Sequence, residues 1–302
     1  MLIDKIDLTI LRHLERSGRW LSSLPAQLKM TDEDISIRIK KMEVEGVIAG
    51  YKATIFIPPF LGGDWVWGCA LATAADREKT VSRVLQKIPF VSEIWLNSNL
   101  PSHLGHNFSI IFYSKDFDTE IKFIKEIPEI SYLEAYRISN FAFPMARIFS
   151  SEEKLLLRTV FDYPTADAAK LGEICQKNVP WIQTKLDKLV WTPQNKDGVI
   201  MVLPEIQFKR IQNYSHCHFI LEISGNKDLL FDEFKTLGFD IVLDGRPFQG
   251  RYIQLEADMW GFNDIIAKKT FLETYNEVKI QGIIFAEEMR VNADWSLKLL
   301  NS

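Results

Sequence analysis

An internal repeat of roughly 150 residues limits the folds open to this chain more than any other feature of its sequence. Each copy begins with three short helical patterns and continues with strand and helix patterns in alternation. The third helical pattern of each copy carries apolar residues at the spacing of one buried helix face. These residues are Ile35, Ile39 and Met42 in the first copy and Ile182, Leu186 and Leu189 in the second. Two copies of one two-domain unit therefore account for the 302 residues.

The start of the chain has the pattern of a small helical domain. Three short amphipathic stretches cover residues 7–18, 23–30 and 31–46, and Ser23 and Thr31 are suitable N-caps for the second and third. The segment that follows, "VIAGYKATI", has apolar residues around an Ala-Gly pair and predicts a hairpin or wing. Three short helices and a wing form a winged helix-turn-helix.

From "GDWVWGCALATA" onward the apolar residues change from helical to strand periodicity. Helical patterns at 76–89 and 116–128 interrupt four strand patterns, which gives the order βαββαβ of a split ferredoxin-like unit. The same order recurs in the second copy. The predicted fold class is therefore α+β, with two winged helix-turn-helix domains that are each followed by a βαββαβ domain. The predicted domains are 1–58 and 62–146 in the first copy and 150–205 and 206–302 in the second.

Composition and charge argue against several classes of protein. The net charge of -4 disfavours indiscriminate phosphate binding, because such binding depends on Lys and Arg side chains placed along the backbone. No apolar run approaches the roughly 20 residues of a membrane helix, and the start of the chain lacks a signal-peptide pattern. We therefore expect a cytoplasmic protein with no membrane contact. Three widely spaced cysteines predict neither a disulfide framework nor a zinc site.

Residues 3–55 resemble a known family. "IDKIDLTILRHLERSGRW" and, after a short second helix, "IKKMEVEGVIAGYKATI" look like the N-terminal domain of the leucine-responsive and asparagine-synthetase regulators, the Lrp/AsnC family. The βαββαβ pattern over 64–143 is similar in topology to that family's ligand-sensing and oligomerisation domain. Family members carry one such unit and dimerise, so two units in one chain resemble an internal pseudo-dimer. The resemblance implies a transcription regulator whose paired winged helices contact successive major grooves of double-stranded DNA, roughly 34 Å apart.

The stretch "TDEDISIRIKKMEVEG" is the predicted recognition helix of the first copy. When its apolar stripe faces the core, Ser36, Arg38, Lys40 and Lys41 lie toward the DNA side. We expect these four side chains to contact the DNA backbone or base edges. The three acids of the first turn suit the positive end of the helix dipole and are interpreted as stabilising the start of the helix.

The equivalent helix of the second copy is less suited to DNA. Its outer face presents Pro180, Thr184, Asp187 and Trp191. An exposed tryptophan more often marks a contact with protein than a contact with a base. We therefore expect the second winged helix to be structural or to engage a protein partner.

Two hairpins of the ferredoxin-like units are candidates for an effector site. "LNSNLPSHLGHNFSIIF" has a longer, polar turn with His103 and His106, where the family resembled here carries a short Gly-Asp-containing turn beside its effector pocket. The equivalent hairpin of the second copy offers Arg246 and Arg251, which could hold an anionic small-molecule effector. The alternative is that both hairpins are plain surface loops.

A different class of protein resembles the same architecture. Siroheme decarboxylases share the two-domain unit without being regulators, and they carry histidines near this hairpin. On that resemblance His103 or His106 would ligate iron or act as a general acid, although arginines for porphyrin carboxylates are not clustered in the sequence. "SHCHF" also places His216 and His218 at a spacing that a metal could bridge, but no third ligand is evident and a surface strand is the simpler interpretation.

These patterns together predict a transcription regulator of Lrp/AsnC type that is not an enzyme and has no catalytic residue, metal or cofactor. Its expected partners are double-stranded DNA, a small-molecule effector and a second copy of the chain bound through the ferredoxin-like sheets. Two alternatives stay open. The first is a siroheme-decarboxylase-like tetrapyrrole enzyme. The second is a protein-interaction module that has lost DNA binding, which the outward-facing Ile37, Val44 and Trp191 favour.

Overall fold

The computed structural model describes residues 1–17, 24–99, 106–138, 143–192, 195–224, 227–244 and 252–301. The chain divides into two compact units, and both copies of the repeat contribute to each. The sheet unit contains Met1–Leu2, Val66–Phe141 and Gln207–Arg290. The helical unit contains Ile3–Trp65, Ala142–Ile206 and Val291–Ser302.

Helices and strands follow the order that the repeat predicts. In the first copy they are α1 (Lys5–Ser17), α2 (Leu24–Leu28), α3 (Asp32–Val44), β1 (Ile48–Ile55), α4 (Pro58–Leu61), β2 (Val66–Ala74), α5 (Arg77–Lys87), β3 (Val91–Asn99), β4 (Phe108–Ser114), α6 (Phe117–Lys125) and β5 (Ile130–Ile138). In the second copy they are α7 (Ser151–Asp162), α8 (Ala168–Cys175), α9 (Val179–Leu189), β6 (Ile200–Ile206), β7 (Ser215–Ile223), α10 (Lys227–Thr236), β8 (Phe239–Asp244), β9 (Tyr252–Met259), α11 (Phe262–Leu272), β10 (Val278–Val291) and α12 (Asp294–Asn301). A short 3-10 turn, Phe208–Arg210, precedes β7.

The sequence explains where two helices of the helical unit begin. At the start of α3 the Thr31 hydroxyl accepts a hydrogen bond from the Asp34 backbone N–H, and the Asp34 carboxylate accepts one from the Thr31 backbone N–H. Ser150 and Glu153 form the same reciprocal capping box at the start of α7. The interpretation that the first-turn acids of α3 stabilise the helix start is therefore confirmed for Asp34.

The apolar stripes of α3 and α9 are buried, as their spacing predicts. The buried side chains are Ile35, Ile39, Met42, Ile182, Leu186 and Leu189. Burial of each stabilises the unit by about 1.5–3 kcal/mol. On the opposite face of α3, Ile37 and Val44 are 61% and 74% exposed. Among the described residues, no helix has the length and apolar character needed to span a membrane.

The strand after α3 corrects the prediction of a hairpin or wing there. β1 is one continuous strand that pairs antiparallel with β6 of the second copy, from Ile48 opposite Ile206 to Ile55 opposite Ile200. The turn-like Ala-Gly pair produces only an irregularity of the ladder between Ile48 and Gly50. The prediction failed because the partner strand lies far away in the sequence.

Three other features of the helical unit differ from expectation. The sequence did not predict α4 or α12. The latter lies against α7, where the Arg158 guanidinium donates a hydrogen bond to the Leu300 carbonyl oxygen at 2.7 Å. Trp191, predicted to be exposed, is half-buried because the end of β1 brings Phe56 beside it, with the two ring centroids 6.0 Å apart.

One antiparallel sheet of eight strands forms the centre of the sheet unit, in the order β5-β2-β4-β3-β10-β7-β9-β8. β3 and β10 join the two copies. On one face, α5 and α6 pack on the first half around Phe112, and α10 and α11 pack on the second half around Phe219. These two cores bury helix and sheet together and confirm the predicted α+β fold class.

The helix-free face of this sheet is called the inner face here. The sheet curls, so that Cys69, Leu71 and Tyr136 of the first copy form one apolar cluster with Ile220 and Ile284 of the second. Successive side chains of a strand point to opposite faces, so the polar residues that alternate with the helix-side cores also lie on the inner face.

Candidate functional site

His106 lies directly before β4 and is fully buried. Neither of its ring nitrogens has a hydrogen-bond partner among the described residues. Loss of hydration lowers the pKa of His106 to about 4, so the ring is neutral at neutral pH and keeps a lone pair on one nitrogen. A buried polar group without a partner costs about 1–3 kcal/mol. This imidazole is therefore a candidate for direct contact with a bound ligand.

Three residues of β5 lie beside His106. The Glu134 carboxylate accepts hydrogen bonds from the Tyr132 hydroxyl at 2.5 Å and from the Tyr136 hydroxyl at 2.6 Å. Its Oε2 is 3.9 Å from His106 Nε2, which is too long for a hydrogen bond. The ring centroids of Tyr132 and His106 are 5.3 Å apart. Burial and the neighbouring Glu134 carboxylate raise the pKa of Tyr136. Two tyrosine hydroxyls therefore donate to the Glu134 carboxylate, which lies next to the neutral imidazole of His106.

The second copy contributes another polar cluster to the inner face. β7 and β9 are antiparallel, and their register sets His218 opposite Glu256 and His216 opposite Asp258. The Nε2 atoms of the two histidines are 2.9 Å apart. His216 Nδ1 lies 3.9 Å from Glu256 Oε1 and 3.6 Å from Asp258 Oδ1.

The interpretation of "SHCHF" as a surface strand is wrong, because His216 is fully buried. β7 is covered on both faces. Cys217 and Phe219 point into the core beneath α10 and α11, and His216 and His218 point to the inner face, where the ring of Trp95 lies about 6 Å from both imidazoles.

Three of the four residues predicted to contact DNA are exposed on α3, namely Ser36, Lys40 and Lys41. Arg38 is half-buried instead, and its Nη1 donates hydrogen bonds to Asp7 at 2.6 Å and to Asp4 at 3.0 Å. These two carboxylates raise the pKa of Arg38, and their negative charges balance the positive charge of its guanidinium. The DNA contacts stay a prediction, in which Lys41 and Lys40, although the latter forms an exposed pair with Glu43 at 3.3 Å, are more available than the half-buried arginine.

Of the residues predicted to bind an effector, only His106 is placed. His103, Arg246 and Arg251 lie outside the described residues. Sequence reasoning missed Glu134 and Glu256, because each reaches its histidine from a strand that is remote along the chain. One signal was present: in "YIQLEADM" the polar residues alternate with apolar ones, which indicates that they share one face of β9.

Comparison with known proteins extends this description. No family model and no curated protein matches the chain. The solved structure of the siroheme decarboxylase NirDL in complex with an iron-uroporphyrin III analogue is similar, with 13% identity, a TM-score of 0.50 and coverage of 98% of this chain and 95% of that one. A second structure of NirDL has 12% identity and a TM-score of 0.49 over 98% of this chain and 99% of that one. The E. coli AsnC structure has 24% identity and a TM-score of 0.28, and covers 49% of this chain and 99% of its own.

At 13% identity the likeness to the NirDL complex shows the fold alone. It nevertheless corrects one expectation, namely that the chain is not an enzyme. A solved structure that shares the architecture over nearly the whole chain is an enzyme. The α+β architecture of this chain is therefore one that an enzyme uses.

Proposed function

We propose that this chain is an enzyme that removes carboxyl groups from an iron tetrapyrrole bound at the inner face of the sheet unit. One observation carries the proposal: His106 is fully buried, and neither ring nitrogen is hydrogen-bonded among the described residues. Nearly all buried polar groups in native proteins have partners, so an imidazole left in this state indicates a ligand that completes it. The likeness in fold to the NirDL complex suggests the substrate class, and the chemistry of His106 supplies a contact for it.

A neutral imidazole is better suited to ligate iron than to act as a proton donor. The pKa of His106, lowered to about 4 by burial, leaves a nitrogen lone pair available near neutral pH, and neutral imidazole is a common ligand of haem iron. His106 would then anchor the tetrapyrrole through its iron. The same property makes His106 a poor general acid, since an acid catalyst should have a pKa near the working pH.

The reaction requires no oxidant. The bond between a side-chain methylene carbon and its carboxylate breaks, the electron pair stays on carbon, CO2 leaves, and the carbon takes up one proton. Tyr132 is the candidate proton donor, because its hydroxyl is hydrogen-bonded to Glu134 and its ring lies beside His106. The transfer leaves a phenolate next to the Glu134 carboxylate, which already accepts from Tyr136, so Tyr132 has to regain a proton from solvent before the next turnover.

Arginine and lysine side chains that could bind the substrate carboxylates lie near one end of β10, but each is already paired with a glutamate. Arg77 contacts Glu287 at 2.8 Å, and Lys209 contacts Glu288 at 2.9 Å. Arg290 contacts Glu288 too, at 2.5 Å. A carboxylate-bearing substrate would have to compete with these glutamates, so we expect these three cations to add less to its affinity than unpaired ones would.

Visible spectroscopy with siroheme tests the proposal. Wild-type protein and a His13→Asn control in the helical unit should shift the siroheme spectrum and yield decarboxylated product by mass spectrometry. His106→Ala should lose the spectral shift. The proposal fails if wild-type protein leaves both the spectrum and the mass of siroheme unchanged, or if the His106 variant behaves as the wild type does.

We propose DNA binding by α3 as an additional activity. The observation in its favour is that Lys40 and Lys41 are exposed on one helix. Their charges would contact phosphates, a contribution that is independent of base sequence. The exposed apolar side chains of Ile37 and Val44 on the same helix limit the surface that can do so.

A further inference from the structure

We propose that His216, His218 and Glu256 form a binding site for a divalent first-row transition metal ion, Zn²⁺ or Fe²⁺. The inference does not depend on the proposed function, since it concerns a different set of side chains and a free metal ion. One ligand atom from each of the three residues can be chosen so that all three lie within 4.8 Å of one another.

The backbone explains why these side chains meet. His216 and His218 are two residues apart on β7 and therefore point to the same face of the sheet. β9 runs antiparallel beside β7, and Glu256 is the direct partner of His218 in the ladder. Cross-strand partners have Cβ atoms only about 4.5–5.5 Å apart. A regular ladder thus brings two imidazoles and one carboxylate together without any unusual turn.

The distances are close to those of a metal site. Zinc takes histidine nitrogens at about 2.0–2.1 Å, so two nitrogens on a tetrahedral ion are about 3.3 Å apart. The Nε2 atoms of His216 and His218 are 2.9 Å apart, so the rings need to separate by only about 0.4 Å. Two histidines and one carboxylate match sites for zinc and for non-haem iron. Three protein ligands leave one or more positions open for water or a substrate.

Outer contacts on both histidines suit metal binding through Nε2. His216 Nδ1 faces Asp258 at 3.6 Å, and the Tyr214 hydroxyl donates a hydrogen bond to the same carboxylate. In the structure the Gln254 amide nitrogen faces His218 Nδ1; with the amide turned over, its Oε1, which has no partner among the described residues, would accept from Nδ1–H and leave Nε2 free for a metal. Partners on the second ring nitrogen fix the tautomer and orientation of a ligating histidine. The two Nε2 atoms face each other, and Glu256 Oε1, which lies 3.9 Å from His216 Nδ1, has to turn toward them to complete the ligand set.

The surroundings of the site limit its contact with bulk water, although His218 and Glu256 stay partly exposed. His216 is fully buried, and the Phe208 ring stacks on it with centroids 5.1 Å apart. The Trp95 ring lies 5.8 Å from His216 and 6.0 Å from His218. An apolar shell of this kind strengthens the attraction between a cation and the Glu256 carboxylate, because the local dielectric is low.

Titration of chelator-treated protein with Zn²⁺, followed by calorimetry, tests this site. Wild-type protein should bind one ion per chain, and Co²⁺ in its place should give the visible absorption of a low-symmetry site. His216→Ala, His218→Ala and Glu256→Gln should each weaken binding by at least about 100-fold. Asp258→Asn should weaken it by about 10-fold, the lower end of the range for outer contacts. His13→Asn is the matched control and should bind as the wild type does.

Far-UV circular dichroism of each metal-free variant shows that its fold is intact, and the isosteric Glu256→Gln keeps the test valid if a histidine variant unfolds. The proposal is overturned if wild-type protein binds Zn²⁺ no more tightly than Glu256→Gln, which would leave the histidine pair as a hydrogen-bonded pair only. Because no tetrapyrrole is present, failure here leaves the proposed function intact. Failure of siroheme binding, in turn, leaves the metal site intact.

Discussion

Replacement of His106 by leucine should stabilise the sheet unit and remove part of its sensitivity to acid. At pH 7 the variant loses a buried polar group without a partner, a gain of about 1–3 kcal/mol, and leucine's different shape costs up to about 1.5 kcal/mol. The free energy of unfolding should therefore change by between about −0.5 and +3 kcal/mol at this pH, so that a rise is expected over most of that range.

The pH dependence of that difference follows from the pKa values of the histidine in the two states. In the unfolded chain the ring titrates near 6.5, and burial lowers the pKa of His106 to about 4 in the folded protein. Above pH 6.5 the ring is neutral in both states. As the pH falls from about 6.5 to 4, the unfolded chain takes up the proton first, and wild-type stability falls by about 3 kcal/mol. The leucine variant has no titrating group at this position. The difference in free energy of unfolding between the variant and the wild type should therefore grow by the same amount.

Urea unfolding of both proteins at pH 7, 5.5 and 4 measures this difference, and other titrating groups cancel between the two. The C–H signals of the His106 ring in an NMR titration give the folded-state midpoint directly, which we expect near pH 4. A stability difference that stays constant from pH 7 to pH 4 would refute the reasoning, because it would mean that the folded protein protonates this ring as readily as the unfolded chain does.

Three further predictions concern the helical unit. Lys40→Ala with Lys41→Ala should weaken binding to double-stranded DNA and reduce the slope of log affinity against log salt by about 2, measured by fluorescence anisotropy at two salt concentrations; an unchanged slope would exclude these contacts. Arg38→Met should lower the free energy of unfolding by about 1–3 kcal/mol in urea, because it leaves the buried Asp7 without its 2.6 Å partner, and a neutral result would show that water replaces it. Gly198→Ala should lower the thermal midpoint, since an added Cβ would lie 2.2 Å from a backbone nitrogen; a midpoint equal to that of the wild type would show that the loop yields at no cost.

The sequence predicted the features that the local spacing of apolar residues determines, namely the buried helix faces and the order of helices and strands. Ile35, Ile39 and Met42 are buried as their spacing requires, and the α+β order of elements was readable in both copies. The pairing of β1 with β6 was not readable, because a ladder between strands some 150 residues apart leaves no local pattern. The same limit applies to the candidate sites. His106 and His216 could be singled out by residue type, but their carboxylate neighbours depend on strand register, which a single sequence does not determine.

The two histidine groups occupy positions that are not equivalent in the repeat. His106 precedes the third strand of its ferredoxin-like unit, whereas His216 and His218 lie on the first strand of theirs. A dimer of identical chains must present every side chain twice, related by its twofold axis. In this chain the two halves of the sheet, which meet where β3 pairs with β10, differ in sequence, so that requirement does not apply and each half can change alone. The two halves of the inner face therefore carry different side chains. Such a face can bind an asymmetric molecule in one orientation, whereas a symmetric dimer would bind it in two equivalent orientations.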